Sequence, residues 1–429
     1  MKSNRLPHHI HFVGIGGAGM APLAEIMLTR GASVSGTDRE STGKTAHLAA
    51  LGATVHVGHD AEFLPENTEL VVYSSAVTAE NPERKRAAER GIPQLRRGEF
   101  LARLAALYRR PVAISGSHGK TTVTAMLTHI LVHAGREPGF LIGAAVNGGD
   151  SASAGTGDDL FIMEVDESDG THTFVHPYLG IVPNIEDDHS WSVGGEEQLF
   201  ANFRKFAFQS EHLLYYPGEH PDALFADHPA ATRLDFPGPG AYGGGRWLGF
   251  QARNAKLAVA AAALLGVDSG EAEEALTSFA GVARRMSVHY NSDTLTVIED
   301  YAHHPTELAN SIEALRLAYP EHHLRIVFQP HRYARLHKYL PQLAAELAKA
   351  DSAIVTPVFA AWCETGPSGG ADLAAAAGER VRYLDGSWEE IARTALDYTG
   401  ERPLLLAVIG AGDIEQIFRH LPGSPADAK

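Results

Sequence analysis

Short apolar runs alternate with helix-period segments along the chain, and this alternation constrains the fold more than any other feature. It begins with HIHFVGIG, APLAEIMLTRG and ASVSGTD, resumes at PVAISGS and TVTAMLTHILVHAG, and starts a third time at TLTVIEDYA. Strands that alternate with helices form βαβ units on a parallel sheet. The sequence therefore predicts an α/β protein of three domains, with a Rossmann-like domain at 1–108, a central domain at 109–284 and a second Rossmann-like domain at 285–429.

Composition narrows the function classes. With 429 residues, 44% of them hydrophobic, the chain can bury a core in each domain. A formal charge of -16 without any basic run opposes nonspecific nucleic-acid binding. The apolar run LAVAAAALLGV is too short to span a bilayer, and a single cysteine excludes a disulfide framework. We expect a cytoplasmic protein without nucleic-acid or membrane partners, and either a monomer or a homodimer.

The first glycine-rich loop follows the first predicted strand. GIGGAG at 14–19 satisfies the pattern G-x-G-x-x-G, and Asp38 ends the next apolar segment. Such glycines let the backbone approach a diphosphate at a helix N-terminus. The alternative is a tight strand-to-helix turn without a ligand; the context favours a nucleotide but does not identify it.

A second glycine loop, GSHGKTT, opens the predicted helix of the middle domain. It lacks the first glycine of the Walker A pattern because Ile114 stands at that place. The remaining parts suit phosphoryl chemistry, since Lys120 can meet phosphate charge and the Thr121 hydroxyl can ligate Mg²⁺. We therefore expect a P-loop-type ATPase domain with a parallel sheet, rather than a capped helix start with an exposed lysine.

Two acidic clusters follow neighbouring strands of this domain. FIMEVDESDG contributes four carboxylates at 164–169, and NIEDDH at 184–189 contributes three more. Carboxylates crowded in this way repel one another unless cations or donors are present. A divalent metal would relieve the repulsion, although either cluster alone is equally typical of a solvated loop.

In the third domain, EDYAHHPTE and FQPHRYAR each follow a strand. Arg332 and Arg335 offer planar donor forks for a carboxylate or phosphate, and neither suits a buried core position. His303 and His304 do not have metal-ligand spacing and are typical of a helix start. The Gly- and Pro-rich stretch from Pro217 to Gly249 predicts a connecting excursion within the middle domain.

Taken together, these stretches resemble the Mur ligase family, which uses ATP to add amino acids to the UDP-sugar precursor of peptidoglycan. HFVGIGGAGM, SSAVTAENPE, GSHGKTT, EVDESDG, NIEDDH, GVARRM, DYAHHPTE, QPHRYAR and GAGDI occur in that order over nearly the whole length. The resemblance is strongest to the member that joins L-alanine to UDP-N-acetylmuramate. It implies ATP and Mg²⁺ as cofactors, an acyl-phosphate intermediate and a role in cell-wall biogenesis.

The resemblance also implies residue roles. UDP-sugar contacts are expected at Gly14, Gly16, Gly17, Gly19, Asp38, Ser74, Ser75, Ala76, Glu167 and Ser168. ATP contacts are expected at Gly116, Ser117, His118, Gly119, Lys120, Thr121, Thr122, Asn254, Arg285 and Asp300. Metal ligands are expected at Thr121, Glu164 and His189. Catalytic roles are expected for Lys120, His304, His331, Arg332 and Arg335.

Three alternatives remain open. A recycling ligase of the same family would attach a whole tripeptide to the same sugar nucleotide. An NAD-dependent oxidoreductase would account for GIGGAG and Asp38 but leaves GSHGKTT and both acidic clusters without a role. A catalytically silent nucleotide-binding regulator would not need near-intact motifs. The chain departs from the family at the expected adenine contacts, because RNAKL stands where the family has H-N-x-x-N.

Overall fold

A computed structural model describes residues 6–188, 190–236, 242–243, 246–361 and 365–423. These residues form three sheets of mostly parallel strands, with five, seven and six strands. The predicted α/β class is therefore confirmed. The chain divides into two compact units, Met1–Pro237 with Asn254–Ala280, and Gly238–Arg253 with Gly281–Lys429. The first two sheets lie in the first unit and the third sheet lies in the second unit.

The first sheet has the order β3-β2-β1-β4-β5 and is parallel throughout. Its elements are β1 (His9–Val13), α1 (Ala21–Thr29), β2 (Ser33–Asp38), α2 (Gly43–Ala50), β3 (Thr54–Val57), β4 (Leu70–Tyr73), α3 (Pro82–Glu89), β5 (Gln94–Arg96) and α4 (Arg97–Ala105). Local signals place the helix starts: Thr42 caps α2 and the Asn81 side chain accepts two amide N–H groups of α3. The strand order reverses between β1 and β4, where open α/β sheets bind ligands.

The second sheet has the order β12-β11-β10-β6-β9-β7-β8, with β8 antiparallel to β7. Its elements are β6 (Arg110–Ile114), α5 (Lys120–His133), β7 (Gly139–Leu141), β8 (Ala152–Ser153), β9 (Leu160–Glu164), β10 (Leu179–Val182), α6 (Ser190–Val193), α7 (Glu196–Gln209), β11 (His212–Tyr215), α8 (Glu219–Phe225), β12 (Ala231–Arg233), α9 (Gly249–Leu264) and α10 (Ser269–Ala275). β6 and β9 are parallel neighbours. The phosphate loop after β6 and the acidic loop after β9 therefore lie at the same sheet edge.

The third sheet has the order β13-β14-β18-β15-β16-β17, and only β13 is antiparallel to its neighbour. Its elements are β13 (Ser287–Asn291), β14 (Leu295–Asp300), α11 (Pro305–Ala318), β15 (His323–Phe328), α12 (Tyr333–Leu347), β16 (Ser352–Val355), α13 (Gly370–Ala377), β17 (Val381–Tyr383), α14 (Trp388–Leu396) and β18 (Leu404–Ile409). Separate apolar clusters cover its two faces, one with α11 to α13 and the other with α14. This two-sided cover is typical of a doubly wound sheet.

One apolar cluster contains residues from both of the first two sheets. It contains Phe12 and Phe100 from the first sheet's layer and Phe161 from β9. Tyr108, between the two sheets, stacks on Phe161 at 4.7 Å and donates its hydroxyl to the Ala154 carbonyl at 2.7 Å. The predicted boundary near Tyr108 therefore lies between two sheets that share an apolar cluster. No helix in the described ranges has the length and apolarity needed to cross a membrane.

The predicted excursion between Pro217 and Gly249 is only partly correct. α8 and β12 lie within it, and β12 extends the second sheet by pairing in parallel with β11. Most of the glycine-rich part, at 237–241 and 244–245, lies outside the described residues. Short elements inside a Gly- and Pro-rich segment lack a periodic apolar pattern, and β12 has only three residues.

Candidate functional site

The first glycine loop is held by the end of β2. Gly14 has φ +82°, and the amide N–H groups of Gly14 and Ile15 both donate to the Thr37 carbonyl. Asp38, predicted to lie near the nucleotide, accepts the Gly16 N–H at 2.8 Å. A Cβ on Gly16 would approach the Asp38 carboxylate to 3.0 Å. Asp38 thus fixes the conformation of the loop. Glycine is required where the loop and the end of β2 approach closely.

Ser74 lies beside this loop after the neighbouring strand β4. Its N–H donates to the Val13 carbonyl, and a Cβ on Gly14 would be 3.3 Å from the Ser74 Cβ. Ser75 and Ala76 are exposed. The structure therefore brings the two predicted UDP-sugar loops together at the switch point of the first sheet. A cavity of about 340 Å³, lined in part by Ala18 and Gly143, opens next to the glycine loop.

The phosphate loop is anchored by backbone and amide contacts to the segment after β10. The His118 N–H donates to the Asn184 side chain at 2.8 Å, and the Asn184 amide donates to the His118 carbonyl at 2.9 Å. Ser117 exchanges two hydrogen bonds with the backbone of Glu186. Gly119 has φ +85° immediately before α5, and Thr122 lies buried in the first turn. These contacts hold the loop in one conformation.

Lys120 opens α5 and is mostly buried, with 12% of its side chain exposed. Its Nζ donates to the Gly116 carbonyl at 2.6 Å and to Glu167 at 2.8 Å. Burial alone would lower the pKa of Lys120, but the carboxylates of Glu167 and Asp166 outweigh burial and raise it. The ammonium group is thus kept charged at the carboxyl end of β6.

The acidic loop after β9 is neutralised by groups of the chain itself. Glu164, a predicted metal ligand, accepts the Thr121 hydroxyl at 2.8 Å and the Gly143 N–H at 3.2 Å. Lys120 neutralises Glu167, and Arg97 pairs with Asp169 at 2.6 Å. The repulsion from which we predicted a metal is therefore relieved in part by two side-chain cations. His189, the third predicted metal ligand, lies outside the described residues.

Arg97 was not predicted from the sequence. It is the first residue of α4 and lies far along the chain from either loop, so no local motif marks it. Ser168, a predicted UDP-sugar contact, lies in the acidic loop after β9. Its N–H donates to Asp166 at 2.9 Å, and its carbonyl accepts the Ser192 hydroxyl at 2.6 Å.

Asn254, the predicted adenine contact, lies on α9 and is 2% exposed. Its Nδ2 is buried without a hydrogen-bond partner in the part of the chain that the structure describes. A buried amide nitrogen without an acceptor is costly unless a ligand or water supplies one. This observation fits a role in ligand binding.

In the second unit, Asp300 ends β14 and is buried. Its two carboxylate oxygens accept the Met286 N–H, the Ala302 N–H and the Ser311 hydroxyl, at 2.9 to 3.0 Å. Burial raises the pKa of Asp300. The side chain predicted to contact the ATP ribose is therefore engaged within the domain, where it fixes the segment that carries Arg285.

Arg285 lies next to a second arginine, Arg284, and both guanidinium groups lie near the Tyr301 ring. Arg284, which sequence reasoning missed, donates to the carbonyls of Gly410 and Gly412 and pairs with Glu299 at 2.9 Å. The guanidinium groups of Arg284 and Arg285 each lie 4.9 Å from the centre of the Tyr301 ring.

The remaining catalytic candidates cluster at the ends of β14 and β15. His304 caps α11 and packs edge-on against Tyr339 at 4.6 Å. His331 accepts an N–H from Arg335 at 3.3 Å, and burial together with nearby cations lowers the pKa of His331 to about 3. Arg332 caps α12 with φ +66°. Arg335 is only 9% exposed, so the prediction that it avoids a buried position is wrong.

Comparisons with known proteins decide the family. The model of the Mur ligase family catalytic domain matches residues 9–109, and the model of the Mur ligase glutamate ligase domain matches residues 284–412. A UDP-N-acetylmuramate–L-alanine ligase from Anaeromyxobacter sp. (strain Fw109-5) is 36% identical to the chain, with 97% of this chain and 98% of that ligase covered. The chain belongs to the Mur ligase family.

Solved Mur ligase structures share its architecture. The UDP-N-acetylmuramate-alanine ligase from Thermotoga maritima aligns with a TM-score of 0.79 at 26% identity, covering 98% of this chain and 100% of that one. A murein peptide ligase from Psychrobacter arcticus aligns with a TM-score of 0.68 at 22% identity, covering 97% of this chain and 98% of that one. The second likeness concerns the fold alone. The Mur ligase resemblance and the three-domain α/β architecture predicted from the sequence are thereby confirmed.

Proposed function

We propose that this Mur ligase joins L-alanine to the carboxylate of UDP-N-acetylmuramate, with hydrolysis of ATP to ADP and phosphate, in peptidoglycan precursor synthesis. The Lys120 ammonium at the carboxyl end of β6 carries this proposal, because it holds a positive charge in a glycine loop suited to phosphates. The substrates follow from relatives named UDP-N-acetylmuramate–L-alanine ligase, at 34% to 36% identity over most of the chain.

The residues around the phosphate loop fit ATP. A Cβ on Gly116 would lie 2.8 Å from the Asn184 carbonyl, so only glycine allows the loop to lie this close to the segment after β10. The unpartnered Nδ2 of Asn254, among the residues described, supplies a donor for an acceptor of the base. We assign the triphosphate to the loop formed by Gly116, Ser117, His118, Gly119, Lys120, Thr121 and Thr122.

The residues also fit Mg²⁺. Thr121 and Glu164 place two oxygen atoms 2.8 Å apart beside the loop, and Mg²⁺ prefers oxygen ligands. When bound, the ion would supply positive charge to the phosphates. His189 belongs to the same proposed set through the family resemblance.

The chemistry proceeds in two steps. The muramoyl carboxylate attacks the γ-phosphorus of ATP, and the bond from this phosphorus to the bridging oxygen breaks. ADP is released and an acyl phosphate is formed. The alanine amine then attacks the acyl carbon and loses a proton, and phosphate leaves with the bonding electrons. Lys120 would hold the phosphates, and Arg332 would stabilise charge that develops on the acyl phosphate.

The other predicted roles belong to this proposal. Gly14, Gly16, Gly17, Gly19 and the Ser74 loop would receive the UDP-sugar, and Arg285 would reach an ATP phosphate. His304, His331 and Arg335 would surround the incoming amino acid. His331 is suited to accept a hydrogen bond rather than to supply charge, because burial and nearby cations lower its pKa to about 3 and the ring is therefore neutral.

ADP release tests the function. With ATP, Mg²⁺ and UDP-N-acetylmuramate, we expect release to depend on L-alanine and to be slower with serine or glycine. Release with the tripeptide but not with alanine would identify the recycling ligase instead. NADH should not compete with UDP-N-acetylmuramate in calorimetry; competition at the glycine loop would restore the oxidoreductase alternative. The substrates are those of the cytoplasm, where we place the enzyme as a monomer or homodimer.

A further inference from the structure

Arg97 lies between the first glycine loop, at 14–19, and the acidic loop after β9. The proposed reaction must bring both loops to one substrate. Its Nη2 pairs with Asp169 at 2.6 Å and approaches the Thr171 hydroxyl at 3.4 Å. On the other side, a Cβ on Gly19 would lie 2.9 Å from both Cδ and Nη1 of Arg97. The guanidinium group therefore touches the glycine loop while it is tied to the acidic loop after β9.

Most of the donors on the Arg97 guanidinium group have no acceptor among the described residues. Within the ranges that the structure describes, Arg97 donates only through Nη2, so Nε and Nη1 remain available although the side chain is 18% exposed. Arg30 is different, because its Nη1 donates to Tyr108 and its Nη2 to Asp158. A guanidinium group carries five N–H donors in a planar fork that matches an oxyanion. These donors are therefore free to receive a ligand beside the glycine loop.

Charge makes a cation necessary at this point. Asp169 follows Asp166 and Glu167 in the acidic loop, and a sugar nucleotide brings further negative charge to Gly19. The backbone N–H groups of Ala18 and Gly19 have no acceptor in the described part of the chain, and they lie just before α1. These N–H groups and the Arg97 fork are therefore placed to receive the same oxyanion.

We propose that Arg97 binds an oxyanion of the sugar nucleotide, most directly its diphosphate, and that Asp169 orients the guanidinium group for this contact. This inference rests on the proposed function, because it identifies a residue of the UDP-sugar site. It assigns to one arginine the link between the glycine loop of the first sheet and the acidic loop of the second.

The experiment compares Arg97→Ala and Arg97→Lys with Arg30→Ala. Arg30 pairs with Asp158 at 3.0 Å and also joins the layers of the first two sheets, but it follows the C-terminus of α1, away from Gly19. Arg30→Ala is therefore a matched control for a lost inter-layer ion pair. Calorimetry of the full chain without ATP measures the affinity for UDP-N-acetylmuramate, UDP-N-acetylglucosamine and UDP, and a separate titration measures ADP.

We expect Arg97→Ala to weaken all three uridine ligands by about tenfold or more, the loss of one charged contact, and to leave ADP affinity unchanged. Arg97→Lys should recover part of the loss because it keeps the charge but not the fork. Arg30→Ala should bind like the wild type while its melting temperature falls about as far as that of Arg97→Ala. A loss confined to UDP-N-acetylmuramate would assign the contact to the lactyl carboxylate, which the other two ligands lack, and would overturn the diphosphate assignment.

Wild-type affinity in Arg97→Ala, or an equal loss in Arg30→Ala, would overturn the inference and leave Arg97 as a structural ion pair. If Arg97→Ala does not fold, the Arg97→Lys variant decides, because wild-type affinity there would exclude a role for the planar fork. Failure of the wild-type chain to bind UDP-N-acetylmuramate would instead refute the proposed function, on which the inference depends.

Discussion

Acidification should destabilise the first unit through one buried histidine, His172. This side chain is fully buried in the 3₁₀ helix Thr171–Phe174, and its ring packs on Phe203 at 5.2 Å and Phe206 at 6.0 Å. Neither ring nitrogen has a hydrogen-bond partner in the portion of the chain described by the structure. An imidazole in such surroundings is neutral, because a charge there would have neither water nor a partner.

The size of the effect follows from proton linkage. Burial lowers the pKa of His172 from 6.5 to about 4. The unfolded chain therefore binds a proton more readily than the folded chain, and stability falls as the pH drops through the unfolded pKa. At about 1.4 kcal/mol for each pKa unit, the loss is about 2 kcal/mol at pH 5 and about 3 kcal/mol once the pH lies well below the folded pKa. Above about pH 7.5 the histidine contributes no pH dependence.

Equilibrium urea unfolding of the wild type and of His172→Phe at about pH 8 and pH 5 measures this effect. Other titrating groups affect both proteins equally, so the difference between their pH-dependent losses should be about 2 kcal/mol. The stability at pH 8 is not decisive, since removal of unsatisfied nitrogens and overpacking by the larger ring oppose each other. His172→Leu, which is smaller than Phe, repeats the test without overpacking.

Equal pH dependence in the wild type and both variants would refute this reasoning. It would mean that the imidazole is protonated in the folded state at no greater cost than in the unfolded state, for example through water beside Asp166 or Asp169.

Two further predictions concern the charged groups of the proposed active site. Lys120→Ala should abolish ADP release and also destabilise the protein by about 3 kcal/mol, because it leaves the Glu167 carboxylate buried without its cation. In urea unfolding, adding Glu167→Gln should recover most of the stability but none of the activity. Unchanged stability in the single variant would contradict this prediction. Arg332→Ala should leave the affinity for UDP-N-acetylmuramate nearly unchanged but lower kcat/KM by an amount equivalent to about 2 to 4 kcal/mol of transition-state stabilisation. Arg332→Lys should recover part of this loss. Full ligation activity in the alanine variant would place Arg332 outside the reaction.

The sequence predicted the parts of the fold that local periodicity determines. The helix expected in TVTAMLTHILVHAG is α5, because this segment is long and rich in apolar residues. β12 was missed because three residues cannot establish a period. It is fixed by parallel pairing with β11, which only the tertiary fold provides.

The phosphate and glycine loops were predictable because their residues are neighbours in sequence. Arg97 and Arg284 were not, because each is separated from its partners by many residues: Arg97 lies 72 positions from Asp169, and Arg284 lies 126 positions from Gly410. The acidic clusters were visible, but their counter-ions were not. A count of carboxylates indicated a metal, whereas the fold supplies Lys120 and Arg97 at the same place.

Backbone strain gives an independent indication of where the second unit carries function. Among the residues that the structure describes, only four other than glycine have positive φ, and three of them, Arg284, Met286 and Arg332, are site candidates or flank one. Such conformations cost about 1–3 kcal/mol each and persist only where the surroundings impose them. Those surroundings are present, since Asp300 holds the Met286 N–H and the Phe359 carbonyl holds the Arg332 N–H. Sequence reasoning could not foresee this, because arginine and methionine are not residues that mark a left-handed turn. The fold therefore spends stability to hold Arg285 and Arg332 in fixed positions, as expected if these two guanidinium groups must meet phosphate or carboxylate charge without rearranging first.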